Sequence, residues 1–229
     1  MSVTAVVPWR PGCPHRERAW AHVRETLEDV RGYEVVVGSC PDGPFNRAWA
    51  ILDGAWKASN ETLLVIDADV VGFYAHATSR VESGKSKWAI PFGNLHRLTE
   101  ASTTAYLAGE RTHLDFEEVH RGNETGTCVV IERSVLDVAP PDVRFVGWGQ
   151  EDDAWQRALR VMVGPPWRGS EPLLHLWHPP QPRLNRTYGS REGKHLRRRY
   201  ESAQGSKRLM SLLLAETDEL RPRRYPATP

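Results

Sequence analysis

Two aspartates, Asp67 and Asp69, stand one residue apart directly after the apolar run 62–66 (TLLVI). In an extended chain their carboxylates face one side while the small Ala68 faces the other. Carboxylates without counter-charges are costly to bury, and a divalent cation removes that cost. Oxygen ligands suit Mg²⁺ or Mn²⁺, and either ion also bridges a diphosphate. We therefore predict a metal site here, with a solvated turn as the alternative.

A second group of candidate residues lies in the segment 145–153 (FVGWGQEDD). Its two glycines permit a tight backbone bend around Trp148, whose broad ring suits stacking on a sugar. Three acids then follow at a predicted helix start, where the helix dipole favours negative charge. Simple helix capping is one interpretation. The other is a tryptophan platform beside a carboxylate base, with Glu151 and Asp152 as catalytic candidates, because a carboxylate can take the proton of an attacking hydroxyl.

Two histidines, His175 and His178, follow the apolar residues Leu173 and Leu174. Imidazole is a common ligand of transition metals, so either side chain is a candidate ligand for the cation at Asp69. Residues 175 and 178 of one strand face opposite sides, which predicts that only one of them binds. A bend before Pro179 favours His178 over His175.

The elements that must position these residues alternate along the first 66 residues. Two amphipathic helices separate three apolar runs, which predicts an α/β fold of parallel strands joined by right-handed crossovers. Ligands of such sheets lie at the carboxyl ends of the strands, where 8–10, Asp42 and 67–69 converge. The predicted strands are 4–8, 33–37 and 62–66, and the predicted helices are 16–30 and 45–58.

The rest of the chain is less regular. The segment 99–126 is polar and weakly periodic, so we predict no regular element there. The last nine residues are expected to fray. Further predicted strands are 88–92, 127–132 and 173–177, and further predicted helices are a short one capped by Ser134, 150–161 and 192–214.

Taken in order, these motifs resemble the GT-A-fold glycosyltransferases. The nearest pattern is that of the β-1,4-galactosyltransferases and the catalytic domain of the polypeptide N-acetylgalactosaminyltransferases. The first group carries P-F-R, F-N-R, D-V-D and G-W-G-x-E-D in that order, followed by a metal-binding histidine. The matching residues here are Pro8-Trp9-Arg10, Phe45-Asn46-Arg47, Asp67-Ala68-Asp69, Gly147-Trp148-Gly149-Gln150-Glu151-Asp152 and either His175 or His178.

The resemblance implies a GT-A (Rossmann-like) fold with a mainly parallel central sheet flanked by helices. It also implies Mn²⁺ (or Mg²⁺) as cofactor and a nucleotide-sugar donor, most simply a UDP-sugar. The implied donor site consists of Pro8, Arg10 and Phe45 around the uridine, Arg47 near the nucleotide, Asp67 near the ribose or sugar, and Trp148 under the sugar, and we add Asp42 from its position. The implied metal ligands are Asp69 and one histidine, with Asp67 beside them, while Glu151 binds hydroxyls and Asp152 is the base of inverting members.

Three departures from the family pattern stand out. Trp9 replaces the usual Phe, Ala68 replaces Val, and Gln150 replaces the second glycine of the W-G-G-E-D run. Retaining members of the wider group carry Asn at the position of Asp152. The resemblance therefore favours inversion without deciding it.

Composition sets the remaining limits. The chain has 229 residues and a net charge of +1, which suits one α/β domain and argues against a dedicated nucleic-acid binder. We predict a catalytic domain at 1–180, divided into a nucleotide-binding half (1–70) and an acceptor half (71–180), and a basic extension at 181–229 that packs on or closes over the active site. Three cysteines without a CxxC pair, and no apolar run of membrane-spanning length, predict a cytoplasmic protein. The frequent use of Arg, Ala and Trp indicates a bacterial or bacteriophage source.

Two other functions remain open at this point. One is a non-catalytic nucleotide- or carbohydrate-binding module on a degenerate fold of the same kind. The other is a metal-dependent nucleotidyltransferase, although Arg10-Pro11-Gly12 is not the glycine-rich loop with a lysine that this class needs. For the preferred glycosyltransferase, the acceptor is a glycan, a protein or a small molecule, and its identity does not follow from the sequence.

Overall fold

The computed structural model describes residues 2–121, 125–147, 149–179 and 190–222, which form an α/β fold around two sheets. The strands of the larger sheet are Val3–Pro8 (β1), Tyr33–Gly38 (β2), Thr62–Ile66 (β3), Trp88–Ile90 (β5), Cys128–Glu132 (β8) and Trp167–Arg168 (β9). Their spatial order is β2-β1-β3-β8-β5-β9. Strand β1 pairs in parallel with β2 and β3, and β5 pairs in parallel with β9. Only β8 runs against its neighbours, so the predicted mainly parallel sheet is confirmed.

Helices flank this sheet. Helix α1 (Pro14–Glu28) joins β1 to β2 and buries Ala19, Val23 and Leu27, which recur at the helical spacing of four residues. Helix α2 (Arg47–Lys57) joins β2 to β3. The helices are Pro14–Glu28 (α1), Arg47–Lys57 (α2), Ala75–Glu82 (α3), Glu100–Leu107 (α4), Val135–Val138 (α5), Glu151–Met162 (α6), Arg191–Ala203 (α7) and Lys207–Ala215 (α8).

The smaller sheet brings distant parts of the chain to the end of β3. Its strands are Val70–Val71 (β4), Leu95–Leu98 (β6), Phe116–His120 (β7) and Leu173–His175 (β10), in the order β4-β10-β6-β7. Strand β4 begins directly after Asp69 and pairs antiparallel with β10, so that Val70 lies opposite His175. This pairing places the carboxyl end of β10 beside that of β3.

The prediction of no regular element in 99–126 is wrong. This segment contains α4 and β7, and Thr99 caps α4 by accepting a hydrogen bond from the Ser102 amide at 3.1 Å. Neither element shows a clear apolar period, because α4 is rich in Thr, Ser and Ala and β7 is a largely exposed edge strand. Tertiary packing rather than local pattern therefore forms them.

Other element boundaries differ in detail from the predictions. The predicted helix 192–214 is two helices, because the chain turns at Gly205 and Ser206 caps α8 by accepting from the Leu209 amide. Ser134 does not cap α5; its hydroxyl donates to the Glu132 carboxylate instead. The predicted strand 173–177 ends at His175.

The described part of the predicted C-terminal extension packs against α6 and the segment before it. The Tyr200 hydroxyl donates to Asp142 at 2.8 Å, and the rings of Phe145 and Tyr200 lie 6.2 Å apart. The division at residue 180, and closure of the extension over a site, stay predictions. No helix within the described ranges is both long enough and apolar enough to cross a bilayer.

Candidate metal centre and active site

Asp69 is the centre of the site. It lies just beyond β3, and only 2% of its surface is exposed. Its Oδ2 accepts a hydrogen bond from Arg16 Nε at 3.0 Å and lies 3.4 Å from His178 Nε2, while its Oδ1 lies 3.9 Å from His175 Nε2. Burial acts to raise the pKa of Asp69, but His175, Arg16 and His178 outweigh it and hold that pKa below its usual value. Asp69 is therefore a carboxylate at neutral pH.

Both histidines reach this carboxylate, which differs from the prediction that only one faces it. Strand β10 ends at His175, and the Leu176 amide then donates to the Asp69 carbonyl at 2.8 Å. Because the chain leaves the strand here, the alternation of sides no longer applies, and His178 returns to the same place. The two imidazole rings have their centroids 5.3 Å apart.

The three side chains have the chemistry of a cation site. Asp69, His175 and His178 each offer one ligand atom, and these atoms all lie within 4.8 Å of one another. Burial lowers the pKa of His175 to about 4, so its imidazole is neutral at pH 7 and keeps a lone pair for a metal. One oxygen and two nitrogens suit a transition-metal ion such as Mn²⁺ better than Mg²⁺, which prefers oxygen ligands throughout.

Asp67 has a different partner from Asp69. Its Oδ1 accepts from Arg47 Nε at 2.8 Å, and its backbone amide donates to the Thr127 carbonyl. Asp67 does not belong to the cluster of three ligands. The two aspartates that the sequence suggested as joint ligands are therefore divided, with one facing the histidines and the other facing α2.

Arg47 and Glu151 leave two buried polar atoms without a partner among the described residues, Nη2 and Oε2 respectively. Arg47 Nη1 donates to the Thr125 carbonyl. Burial acts to lower the pKa of Arg47, but Asp67 and Glu151 outweigh it, so the guanidinium stays charged. A buried donor and a buried acceptor without partners are costly, and a bound polar ligand satisfies both.

Glu151 and Asp152 form the first turn of α6, as predicted. Burial, and then the negative charge of Asp152, raise the pKa of Glu151 to about 7. Asp152 Oδ1 accepts from the Asp153 amide, and its backbone carbonyl accepts from Thr125 Oγ1 at 2.8 Å. Asp153 instead binds Arg157 and Arg197, so the third acid of the run is structural.

The predicted backbone bend before α6 is present. Gly147 and Gly149 have positive φ angles of 83° and 96°, a region that glycine enters without strain. Gln150, which follows them, also has a positive φ, of 77°. The Gly147 amide donates to the Phe45 carbonyl at 3.0 Å, which ties this bend to the start of α2. Trp148 itself lies outside the described residues, so its predicted place under a sugar stays a prediction.

The predicted nucleotide end of the site lies at the carboxyl ends of β1 and β2. The Arg10 guanidinium lies over the Phe45 ring at 5.7 Å and donates to the carbonyls of Pro41 and Gly43. Pro8 is the last residue of β1, and Asp42 is exposed in the loop that Arg10 binds. Arg10 and Phe45 thus meet as predicted, whereas Asp42 points to solvent at the edge of the group.

Two residues matter more here than the sequence suggested. Arg16 was within a predicted helix and carried no separate signal, yet it binds Asp69. Asn46 caps α2 by accepting from the Trp49 amide at 2.9 Å, and it also donates to the Val143 carbonyl at 2.7 Å. An Asn before an amphipathic run is a recognisable cap signal, whereas the Arg16 contact spans 53 residues and has no local signature.

The sequence matches no family model and no curated protein. Among solved structures, the fold is similar to a Drosophila β-1,4-galactosyltransferase 7 in complex with manganese, UDP-Gal and xylobiose, at 17% identity and a TM-score of 0.49, covering 86% of this chain and 79% of that one. It is also similar to glucosyl-3-phosphoglycerate synthase of Mycobacterium tuberculosis in complex with Mn²⁺, UDP and phosphoglyceric acid, at 14% identity and a TM-score of 0.49, covering 90% and 78%. Because both TM-scores lie below 0.5, we base the proposed function on side-chain geometry.

Proposed function

We propose that this chain is a metal-dependent glycosyltransferase that moves a sugar from a nucleotide-diphosphate sugar to an acceptor hydroxyl. The observation that carries the proposal is the convergence of Asp69, His175 and His178 from two different strand ends. Few structural needs bring a buried carboxylate and two imidazoles together, whereas binding a cation does. A divalent cation held there supplies Lewis-acid stabilisation of the charge that develops on a leaving diphosphate.

Different residues around the metal ligands would contact different parts of the donor. Arg10 and Phe45 lie in the loops that follow β1 and β2, and together they form a cationic, aromatic surface suited to a nucleoside. Arg47 Nη2 and Glu151 Oε2 have no partner among the described residues, and a donor sugar would offer hydroxyls to both. The resemblance to the β-1,4-galactosyltransferases favours a UDP-sugar as the donor.

Asp152 is the proposed base of an inverting reaction. It stands at the start of α6 beside Glu151, whose pKa of about 7 keeps it partly protonated and able to donate as well as accept hydrogen bonds at neutral pH. The Asp152 side chain would take the proton of the acceptor hydroxyl as the new glycosidic bond forms. Glu151 would then bind hydroxyls of the acceptor or the donor.

A donor screen tests the proposal. Released nucleotide diphosphate is measured across UDP-, GDP- and TDP-sugars, with Mn²⁺ and with a chelator, for the wild-type chain, D69N and the control D29N, which changes an exposed aspartate after α1. We expect slow Mn²⁺-dependent donor hydrolysis by the wild type and D29N, and none by D69N. A rate of donor hydrolysis that is unchanged by the chelator and is the same in D69N as in the wild type would rule out this metal centre.

The role of Asp152 needs a separate variant. D152N keeps the shape of the side chain and removes its basicity, so we expect UDP binding within about twofold of the wild type and transfer reduced at least about a hundredfold, as loss of a general base does. The anomeric configuration of the product, read by NMR, decides inversion. Transfer by D152N at the wild-type rate would remove Asp152 from the mechanism.

A non-catalytic binding module is separated from the enzyme by calorimetry. Such a module binds sugar without regard to metal. The proposed transferase binds UDP with an affinity that depends on Mn²⁺, because the diphosphate and the cation share a site. A titration of UDP with and without Mn²⁺ therefore precedes any search for the acceptor.

A further inference from the structure

Arg16 binds the Asp69 oxygen that a cation held by Asp69 and His178 would also approach. Arg16 Nε lies 3.0 Å from Asp69 Oδ2, and His178 Nε2 lies 3.4 Å from the same oxygen. An ion held by Asp69 and His178 would lie near that oxygen and near the guanidinium. Repulsion between the two positive charges would disfavour their both staying on Asp69.

Arg16 has another support that keeps it at the site when it leaves Asp69. Its guanidinium lies over the Trp9 ring at 5.6 Å, and Trp9 directly follows β1. Arg16 also belongs to the first turn of α1, so its backbone is fixed there. While Arg16 is bound to Asp69, 21% of its side chain is exposed. A guanidinium released from Asp69 would remain near Trp9 at the end of β1.

A diphosphate is the anion that such a guanidinium fits. Arginine offers several N–H donors in a planar fork that matches phosphate oxygens, and charge-assisted bonds of this kind are among the strongest in proteins. Arg10 and Phe45 lie in the loops that follow β1 and β2, and Arg16 lies over Trp9 at the end of β1, so the diphosphate of a nucleotide bound there would lie near Arg16.

We propose that Arg16 exchanges between two anionic partners, the Asp69 carboxylate when no nucleotide is bound and the diphosphate of the donor when Mn²⁺ and nucleotide are bound. Arg16 is thereby a positioning residue that weakens the binding of the metal alone and strengthens the binding of the metal with nucleotide. The exchange rests on the proposed function, since it requires a cation at Asp69 and a diphosphate donor.

The test is a pair of calorimetric titrations on the full chain. The first measures Mn²⁺ binding without nucleotide, and the second measures UDP binding at saturating Mn²⁺. The variants are R16Q, R16K and the control R24Q, which changes an arginine of the same helix that pairs only with the exposed Glu28 among described contacts. Thermal melting checks that each variant is folded.

The two titrations should shift in opposite directions for R16Q. We expect R16Q to bind Mn²⁺ alone about tenfold more tightly, because the competing guanidinium is gone. We expect it to bind UDP at saturating Mn²⁺ about tenfold more weakly, because one charge-assisted hydrogen bond to the diphosphate is lost. R16K keeps the charge and should recover part of the UDP affinity, and R24Q should match the wild type.

Opposite changes in Mn²⁺ affinity and UDP affinity would distinguish the proposed exchange from a purely structural role of Arg16. If R16Q lowers both the affinity for Mn²⁺ alone and the affinity for UDP with Mn²⁺, or leaves either affinity unchanged, the proposed exchange is wrong. The proposed metal centre is not affected by that result. If the wild-type chain binds no Mn²⁺ at all, the proposed function fails and the exchange fails with it.

Discussion

The Arg47 guanidinium and the Asp67 carboxylate form a buried ion pair, with Arg47 Nε 2.8 Å from Asp67 Oδ1 and only 11% and 20% of the two side chains exposed. The pair joins the first residue of α2 to the end of β3. Arg47 also has a buried nitrogen, Nη2, for which the described residues provide no partner, whereas the pair of Arg24 and Glu28 is exposed on the surface of α1. The Arg47 guanidinium is thus paired with Asp67 through Nε, and its Nη2 is left for a ligand.

Removing Asp67 should destabilise the protein strongly. D67N leaves the Arg47 charge buried without its partner, and breaking one side of such a pair costs about 3–5 kcal/mol. R47M removes the buried charge and should cost less in the D67N background than in the wild type. Urea unfolding measures all four proteins, and E28Q is the control, with an expected cost under about 0.5 kcal/mol. Additive costs of D67N and R47M would mean that the two side chains act independently.

Both histidines should contribute to binding Mn²⁺. Replacing His175 or His178 by Gln removes one nitrogen ligand, and we expect each variant to lose at least about tenfold in Mn²⁺ affinity, roughly 1.4 kcal/mol. Electron paramagnetic resonance of free Mn²⁺ measures this directly. H120Q is the control, because His120 lies in β7 at the far edge of the smaller sheet. If one variant matches H120Q, the histidine it replaces is not a ligand.

Stability should fall as pH rises through the range set by Glu151. Its pKa is about 7 in the folded chain against an ordinary value of 4.5, so between these values the folded state keeps a proton that the unfolded state has released. The folded state loses this advantage as pH rises from about 4.5 to about 7, by up to roughly 1.4 kcal/mol per pH unit.

E151Q cannot ionise and should lack this part of the pH dependence. We expect the stability of E151Q relative to the wild type to grow across that window and to stay constant above it. Urea unfolding in the presence of a chelator measures the difference, with E25Q as a control for an exposed glutamate on α1. A constant difference between E151Q and the wild type across the window would show that the Glu151 pKa is not raised.

Tyr200 should link the C-terminal helices to the segment that leads into α6. Its hydroxyl donates to Asp142 Oδ2 at 2.8 Å, and Asp142 also accepts from Arg144 at 2.7 Å. Y200F removes one donor from a carboxylate that is 2% exposed, so we expect a loss of about 1–2 kcal/mol, since Arg144 remains.

Calorimetry and urea unfolding check the effect of Y200F together. The bond between Tyr200 and Asp142 involves none of the three proposed metal ligands, so Mn²⁺ affinity should stay at the wild-type value. A change of stability below about 0.3 kcal/mol would indicate that Arg144 alone satisfies Asp142.

Much of the fold was predictable because its signals are local. The runs 4–8, 33–37 and 62–66 are apolar, β-branched and bounded by turn residues, and they form β1, β2 and β3 within about one residue of the expected limits. Alternation with amphipathic helices implied parallel pairing and therefore the sheet edge at which Arg10, Phe45 and the two aspartates lie. The elements α4 and β7 were missed because their side chains show no period that separates a buried from an exposed face.

The sequence by itself determined which residue types were available for chemistry and at which edge of the sheet they stand. Tertiary structure decided their partners. Pairing of β4 with β10 brings His175 and His178 to Asp69, although they are more than a hundred residues away in the sequence. Asp67 instead pairs with Arg47, the first residue of α2. Arg16 meets Asp69 for the same reason. Contacts of this kind depend on how distant elements pack, and packing leaves no periodic trace near either residue.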